Sequence, residues 1–276
     1  MIVDAQVHIW GACTPGRPWP PGGAHTAHRA EPWTAREVLR AMDGAGVGRA
    51  VLVPPSWEGD RNDLVLSAVA RHPDRFLAMG RLPLHDRAAT ARRVAGWPVR
   101  AGMPGVRLTF HREPLREEFA RGGLDWLWPL LADRGLPVML YAPGLTGAVG
   151  RVARRHPGLT LILDHLALPV DRVGAAAFDG LAGTLDLARH PRVAVKVSAL
   201  PCHTERPYPF TDLHPWIRRV REAFGPERMA WGSDLTRLPC AYRECVELFT
   251  RELPFLDDAD RAMVMGGTLL SLLAVD

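Results

Sequence analysis

Lysine is nearly absent from this sequence: Lys196 stands alone among 34 basic side chains, and the other 33 are arginine. Those arginines are interspersed with 30 acids rather than gathered into a stripe, and no aromatic residues interleave with a basic patch. The net charge of +4 therefore does not point to nucleic acid as a partner. The densest basic group, Arg151, Arg154 and Arg155, has the spacing of one exposed helical face. Cysteine is also scarce. Cys13, Cys202, Cys240 and Cys245 form no C-x-x-C pair, which argues against a zinc ribbon or a disulfide framework and for scattered reduced thiols. No apolar run approaches the roughly 18 uninterrupted residues of a membrane span. The start, Met1-Ile2-Val3-Asp4, carries no basic export signal, so the expected location is the cytoplasm, with no membrane partner.

What the sequence has in abundance is short apolar runs between helical stretches. Eight candidate strands cover residues 2–8, 50–54, 76–82, 105–110, 137–141, 160–165, 193–198 and 229–234. They are continuous rather than alternating, as in strands buried on both faces. Helix-like segments fall near 34–46, 62–72, 87–100, 115–134, 146–156, 173–190, 212–224 and 240–253. Thr34 followed by Glu37 makes a capping box, while Gly and Pro at 46, 135, 137, 157 and 158 stop helices before the next strand. Eight βα repeats in 276 residues predict an α/β fold, a single (β/α)8 TIM barrel domain over 1–276. A short helical cap is expected over 257–276. The Pro-, Gly- and His-rich stretch 11–32 is too long for an idle connection and is expected to be a lid, with Trp19, His25, His28 and Trp33 candidates to line a pocket.

Three motifs close apolar runs: Val3-Asp4-Ala5-Gln6-Val7-His8, Leu163-Asp164-His165-Leu166 and Trp231-Gly232-Ser233-Asp234. In a parallel barrel the C-terminal strand ends meet at one mouth, so these residues are expected together. Asp234 is the candidate general base for an attacking water, with a helix N-cap as its plainer role. His165 and His8 are candidates to donate hydrogen bonds to a developing oxyanion. Tyr141, ending the fifth run, offers a hydroxyl to the same carbonyl or to a substrate carboxylate. Gln6 either donates its amide to the same oxygen or orients His8, or equally is a buried polar residue filling a vacated ligand position. Arg107, inside an apolar run with His111 just beyond, is a structural ion pair or an anion clamp; the clamp is favoured. Ser56 and His203 are candidate substrate contacts, and Asn62 is expected to cap the second helix. Lys196, mid-strand, reads as a buried lysine paired to a neighbour.

The His-x-His pair that opens many metal-dependent barrel hydrolases is missing; Gln6-x-His8 stands in its place, and a glutamine amide is a poor zinc ligand. With that departure noted, the strand-end residues resemble the amidohydrolase superfamily. The likeness is to its amidohydrolase-2 branch, and within it to lactonases acting on 2-pyrone-4,6-dicarboxylate, 4-sulfomuconolactone and sugar lactones. It runs from Asp4–His8 to Met265-Gly266-Gly267-Thr268, with Asp-His-Leu at 164–166 and Gly-Ser-Asp at 232–234 its most specific parts. The resemblance implies that Asp234 activates water, that His165, His8 and Tyr141 polarise the scissile carbonyl, and that Arg107 and Ser56 bind the substrate. Related decarboxylases use one Zn²⁺ held by His-x-His, a fifth-strand His and the last-strand Asp. Two of those four positions are Gln6 and Tyr141 here.

The expected function is thus a metal-independent hydrolase of a small cyclic ester, carboxylate-bearing, acting as a monomer or homodimer. One alternative is a metal-dependent non-oxidative decarboxylase, with a single Zn or Mn on His8, His165 and Asp234. The other is an isomerase, cyclase or ligand binder on the same scaffold.

Overall fold

The computed structural model describes residues 1–25, 27–29 and 31–275; Thr26 and Ala30 in the expected lid and Asp276 at the end of the expected cap lie outside the described residues. Eight parallel strands run in chain order: β1 (Val3–Val7), β2 (Arg49–Leu52), β3 (Phe76–Gly80), β4 (Gly105–Thr109), β5 (Val138–Tyr141), β6 (Leu161–Leu163), β7 (Val193–Ser198) and β8 (Met229–Gly232). Each pairs with the next, and helices fill the connections, giving a (β/α)8 barrel. Every expected strand is present; β7 keeps its expected bounds, β2 starts one residue earlier and ends two sooner, and the others are trimmed at one or both ends. Among the described residues no helix is long and apolar enough to cross a membrane.

The long expected helix over 115–134 is two, Leu115–Arg121 and Leu127–Asp133. Gly122 turns left-handed at φ 85° between them, a conformation glycine adopts without steric cost. The stretch 173–190 likewise breaks into short turns around the helix Leu181–Leu185. Thr34 and Glu37 form the expected capping box.

The outward strand faces and the helices build one apolar layer, and the barrel interior holds a second. The interior cluster includes Val3, Val51, Leu77, Met139 and Ile162, and it takes in Leu269 and Leu273 of the last helix, Thr268–Leu273. The C-terminal segment therefore plugs the barrel floor. Above this apolar floor the interior turns ionic. Arg107 Nε lies 2.9 Å from Asp164 Oδ2, and Lys196 Nζ lies 2.8 Å from Asp164 Oδ1, all three buried. Burial pushes the Asp164 carboxyl up, but the two cations more than offset it and leave it at about 2.

β1 carries the device that aims the first motif. Its register against β2 shifts between Asp4 and Val7, the signature of a β-bulge. Val3 and Ala5 face the interior, whereas Val7 packs with the outer layer. Gln6 and His8 are thereby turned inward. Asp4 holds the β1–β8 seam: its carboxylate accepts the main-chain N–H groups of Gln6 and Ser233, both at 2.9 Å, and the hydroxyls of Ser233 and Tyr242. The Asp234 N–H completes the seam on the Gln6 carbonyl at 2.9 Å.

Candidate active site

At the C-terminal mouth lies a cavity of about 570 Å³. Two of its walls are left-handed turns directly after strands: His165 follows β6 at φ 53°, and Asp234 follows β8 at φ 55°. Non-glycine residues rarely take this conformation, and here each turn swings a polar side chain back over the strand end. Asp234 makes no side-chain cap bond to the following turn, so the plain N-cap role falls away.

Three side chains converge. His8 Nε2 is 3.3 Å from Asp234 Oδ1, and His165 Nε2 is 3.7 Å from Asp234 Oδ2. Burial would raise the Asp234 carboxyl, but the His8 hydrogen bond and the nearby imidazoles pull it well below the usual carboxylate range. His165 is pushed down to about 4 by burial, with Asp234 and Asp164 opposing, so it is neutral near pH 7. Ser198 Oγ accepts the His165 main-chain N–H at 3.3 Å and lies 2.9 Å from Nδ1. A proton on Nε2 satisfies that arrangement and leaves an N–H donor facing the mouth. Tyr141 sits beside it, ring centroids 5.3 Å apart, its hydroxyl raised to about 12 by burial.

Gln6 does not reach the cavity; it lies fully buried beneath it. Lys196 Nζ donates to Gln6 Oε1 at 2.7 Å, and an ammonium has only donors, which fixes the amide. Gln6 Nε2 is thereby turned toward His8 Nε2, 3.3 Å away. His8 Nδ1 lies 2.6 Å from the Val53 carbonyl and carries a proton there. Its Nε2 is therefore engaged by Gln6 and Asp234 and has no N–H free for a substrate carbonyl. Lys196 is paired as expected, and Gln6 takes the orienting option.

The same geometry bears on metal. The amide turns its N–H toward His8 Nε2, the atom an ion would use, and its oxygen is committed to Lys196. Among the described residues no group of three or more His, Cys, Asp or Glu is arranged to hold a metal ion. Gln6 therefore offers no donor atom to a zinc ion at this place.

Ser56, Arg107, His111 and Tyr141 line the cavity as expected. His203 does not: it is buried against Phe178, with Nδ1 2.9 Å from the Arg172 carbonyl, because its turn folds away from the mouth. His25 and His28 of the long loop line the cavity, whereas Trp19 and Trp33 do not. His28 Nδ1 meets Thr236 Oγ1 at 2.7 Å, tying this loop to the one after β8. Arg112, Arg116 and Arg237 were not foreseen. Arg237 Nε reaches Asp234 Oδ2 at 3.3 Å from the same short turn, a spacing of three that the motif carried in plain view. Asn62, expected as a cap, makes no cap bond; its side chain clasps the Arg81 main chain at 2.8 and 3.1 Å.

The family model described as amidohydrolase matches residues 3–269. The chain belongs to the amidohydrolase family. This amidohydrolase is 27% identical to the L-fucono-1,5-lactonase of Burkholderia ambifaria, over 99% of this chain and 96% of that one. It is 26% identical to the 4-sulfomuconolactone hydrolase of Hydrogenophaga intermedia, over 72% of this chain and 63% of that one. A solved amidohydrolase of Burkholderia multivorans with bound zinc has the same fold, with a TM-score of 0.79 and 23% identity over 100% of both chains. Like its family, this amidohydrolase is an enzyme of the hydrolase class.

Proposed function

We propose that this amidohydrolase opens a small, anionic lactone without a metal ion. The observation that carries the reading is the buried Asp234 carboxylate, facing the His8 and His165 imidazoles at the base of an arginine-lined cavity. The lactonase relatives support the reaction class. Asp234 takes a proton from water as the water oxygen bonds to the ring carbonyl carbon. The oxyanion that forms accepts from His165 Nε2–H and from the Tyr141 hydroxyl. The ring C–O bond then breaks, and Asp234 returns its proton to the departing oxygen, leaving a hydroxy acid. Arg107, Arg112, Arg116 and Arg237 suit a carboxylate or sulfonate on the substrate. The long loop over 11–32 closes the cavity as a lid through His25 and His28. The enzyme works in the cytoplasm.

The deciding experiment pairs metal analysis of tag-free protein with a panel of anionic five- and six-membered lactones in H₂¹⁸O. Metal-poor protein that turns over and places one ¹⁸O in the product supports the reading. Asp234→Asn is expected to lower turnover about 10²-fold or more. Stoichiometric metal lost together with activity on chelation would overturn it in favour of a metal-dependent enzyme.

A further inference from the structure

Beside the mouth lies a second cavity, of about 430 Å³, between the loops after β2, β3 and β4. Its floor holds two guanidinium groups. Arg81 is 9% exposed, and its Nη1 donates to Thr109 Oγ1 at 3.1 Å. Its Nε has no hydrogen-bond partner, and the nearest carboxylate, Asp60, is 3.9 Å away. Arg107 lines the same floor, with its own Nε committed to Asp164. Burial and the Arg107 charge push Arg81 down to about 10, against the opposing pull of Asp60. A buried guanidinium with an unmet N–H beside another cation is an unfavourable arrangement that an anion would relieve.

Leu82, Leu84, Leu108, Leu115 and Trp126 give the cavity apolar walls, and Asp60, His85, Arg87 and Glu118 also line it, with Arg87 over the Trp126 ring. Asn62 clasps the Arg81 main chain, so the residue is held in place rather than folded in by chance. Arg107 and Thr109 line both this cavity and the catalytic one and stand between them.

We infer that this side cavity binds a separate small acid, its carboxylate on Arg81 and Arg107 and its flat or aliphatic body against Leu84, Leu108 and Trp126. Of the residues in this space the lactone reaction uses only Arg107, and the site stands whether or not that reaction does. Because Arg107 belongs to both cavities, an acid here also alters the charge presented to the catalytic mouth.

Benzoate is the probe, titrated calorimetrically into the whole protein, with benzamide and acetate as companions. Benzoate is expected to bind saturably at one site per chain. Benzamide lacks the charge and acetate lacks the body, and each is expected to bind about tenfold more weakly or worse. Arg81→Met and the rim substitution Leu84→Asp should each weaken benzoate about tenfold or more. Arg237→Met, in the catalytic mouth, should leave benzoate affinity unchanged. If Arg81→Met does not fold, Leu84→Asp carries the test, since Leu84 is only partly buried. A crystal structure of the benzoate complex fixes the place. Density against Arg81 supports the assignment; no saturable binding, or loss on Arg237→Met but not on Leu84→Asp, overturns it.

Discussion

At Gln6 the orientation of one amide decides what its neighbours can do. Lys196 takes the oxygen, so the nitrogen is left for His8, and His8 in turn is held on Asp234. Gln6→Leu removes both contacts while keeping a similar volume. It is expected to cost about 1–3 kcal/mol of stability, from the unmet Lys196 donor. Turnover should fall with KM nearly constant, because Gln6 acts through His8 and touches no substrate; steady-state kinetics and urea unfolding check both parts. Gln6→His returns an imidazole beside His8 and is expected to raise zinc retained after loading and desalting toward one per chain, read by mass spectrometry. Arg237 is a different case. About a third exposed and paired to Asp234, it lines the mouth where an incoming anion would arrive. Arg237→Met should raise KM for an anionic lactone about tenfold or more and leave a neutral lactone little changed.

At the scale of elements, the strands and the turns after them were legible because their signals are local. Continuous apolar runs marked β1 to β8, and the residues that end the runs are those that reach the mouth. His203 was misplaced because the turn after β7 is set by packing against Phe178, which no spacing encodes. The bulge in β1 was invisible for a similar reason: it exists only relative to β2, yet it decides that Gln6 and His8, not Val7, face inward. The side cavity was also hidden, since it joins three loops distant in sequence. Asp4 was read only as part of a motif, and its role emerged from partners on β8 and the helix Tyr242–Glu247. Asp4→Ala leaves four buried donors without an acceptor and is expected to cost several kcal/mol, enough to prevent recovery of folded protein at 37 °C. Asp4→Asn should be milder, because the Ser233 and Tyr242 hydroxyls can turn to donate differently; thermal melts of the two variants separate these outcomes.

For the whole molecule, the buried imidazoles set the response to acid. His165 titrates at about 4 in the folded chain against an ordinary 6.5, held down by burial. As pH falls below 6.5 the unfolded chain takes up a proton that the folded chain refuses. Stability is therefore complete above 6.5 and declines down to about 4, by about 1.4 kcal/mol per pH unit at the steepest. His28 and His111, lowered by burial to about 3 and about 4, act in the same sense. Urea midpoints are expected to drop between pH 7.5 and 5, and His165→Asn should flatten that slope; an unchanged slope would remove His165 from the account.

The seam held by Asp4 also sets an order of events during synthesis. Its partners Ser233 and Tyr242 lie 229 and 238 residues further along the chain. A carboxylate that the finished barrel surrounds with four donors must spend translation in water or among strangers, because at about 5–20 residues per second those partners are many seconds away. Closing the early strands into a smaller sheet would bury that carboxylate with the Gln6 N–H but without its three donors from Ser233 and Tyr242. The second residue of the first motif thus favours closure of the barrel only once its last strand has arrived.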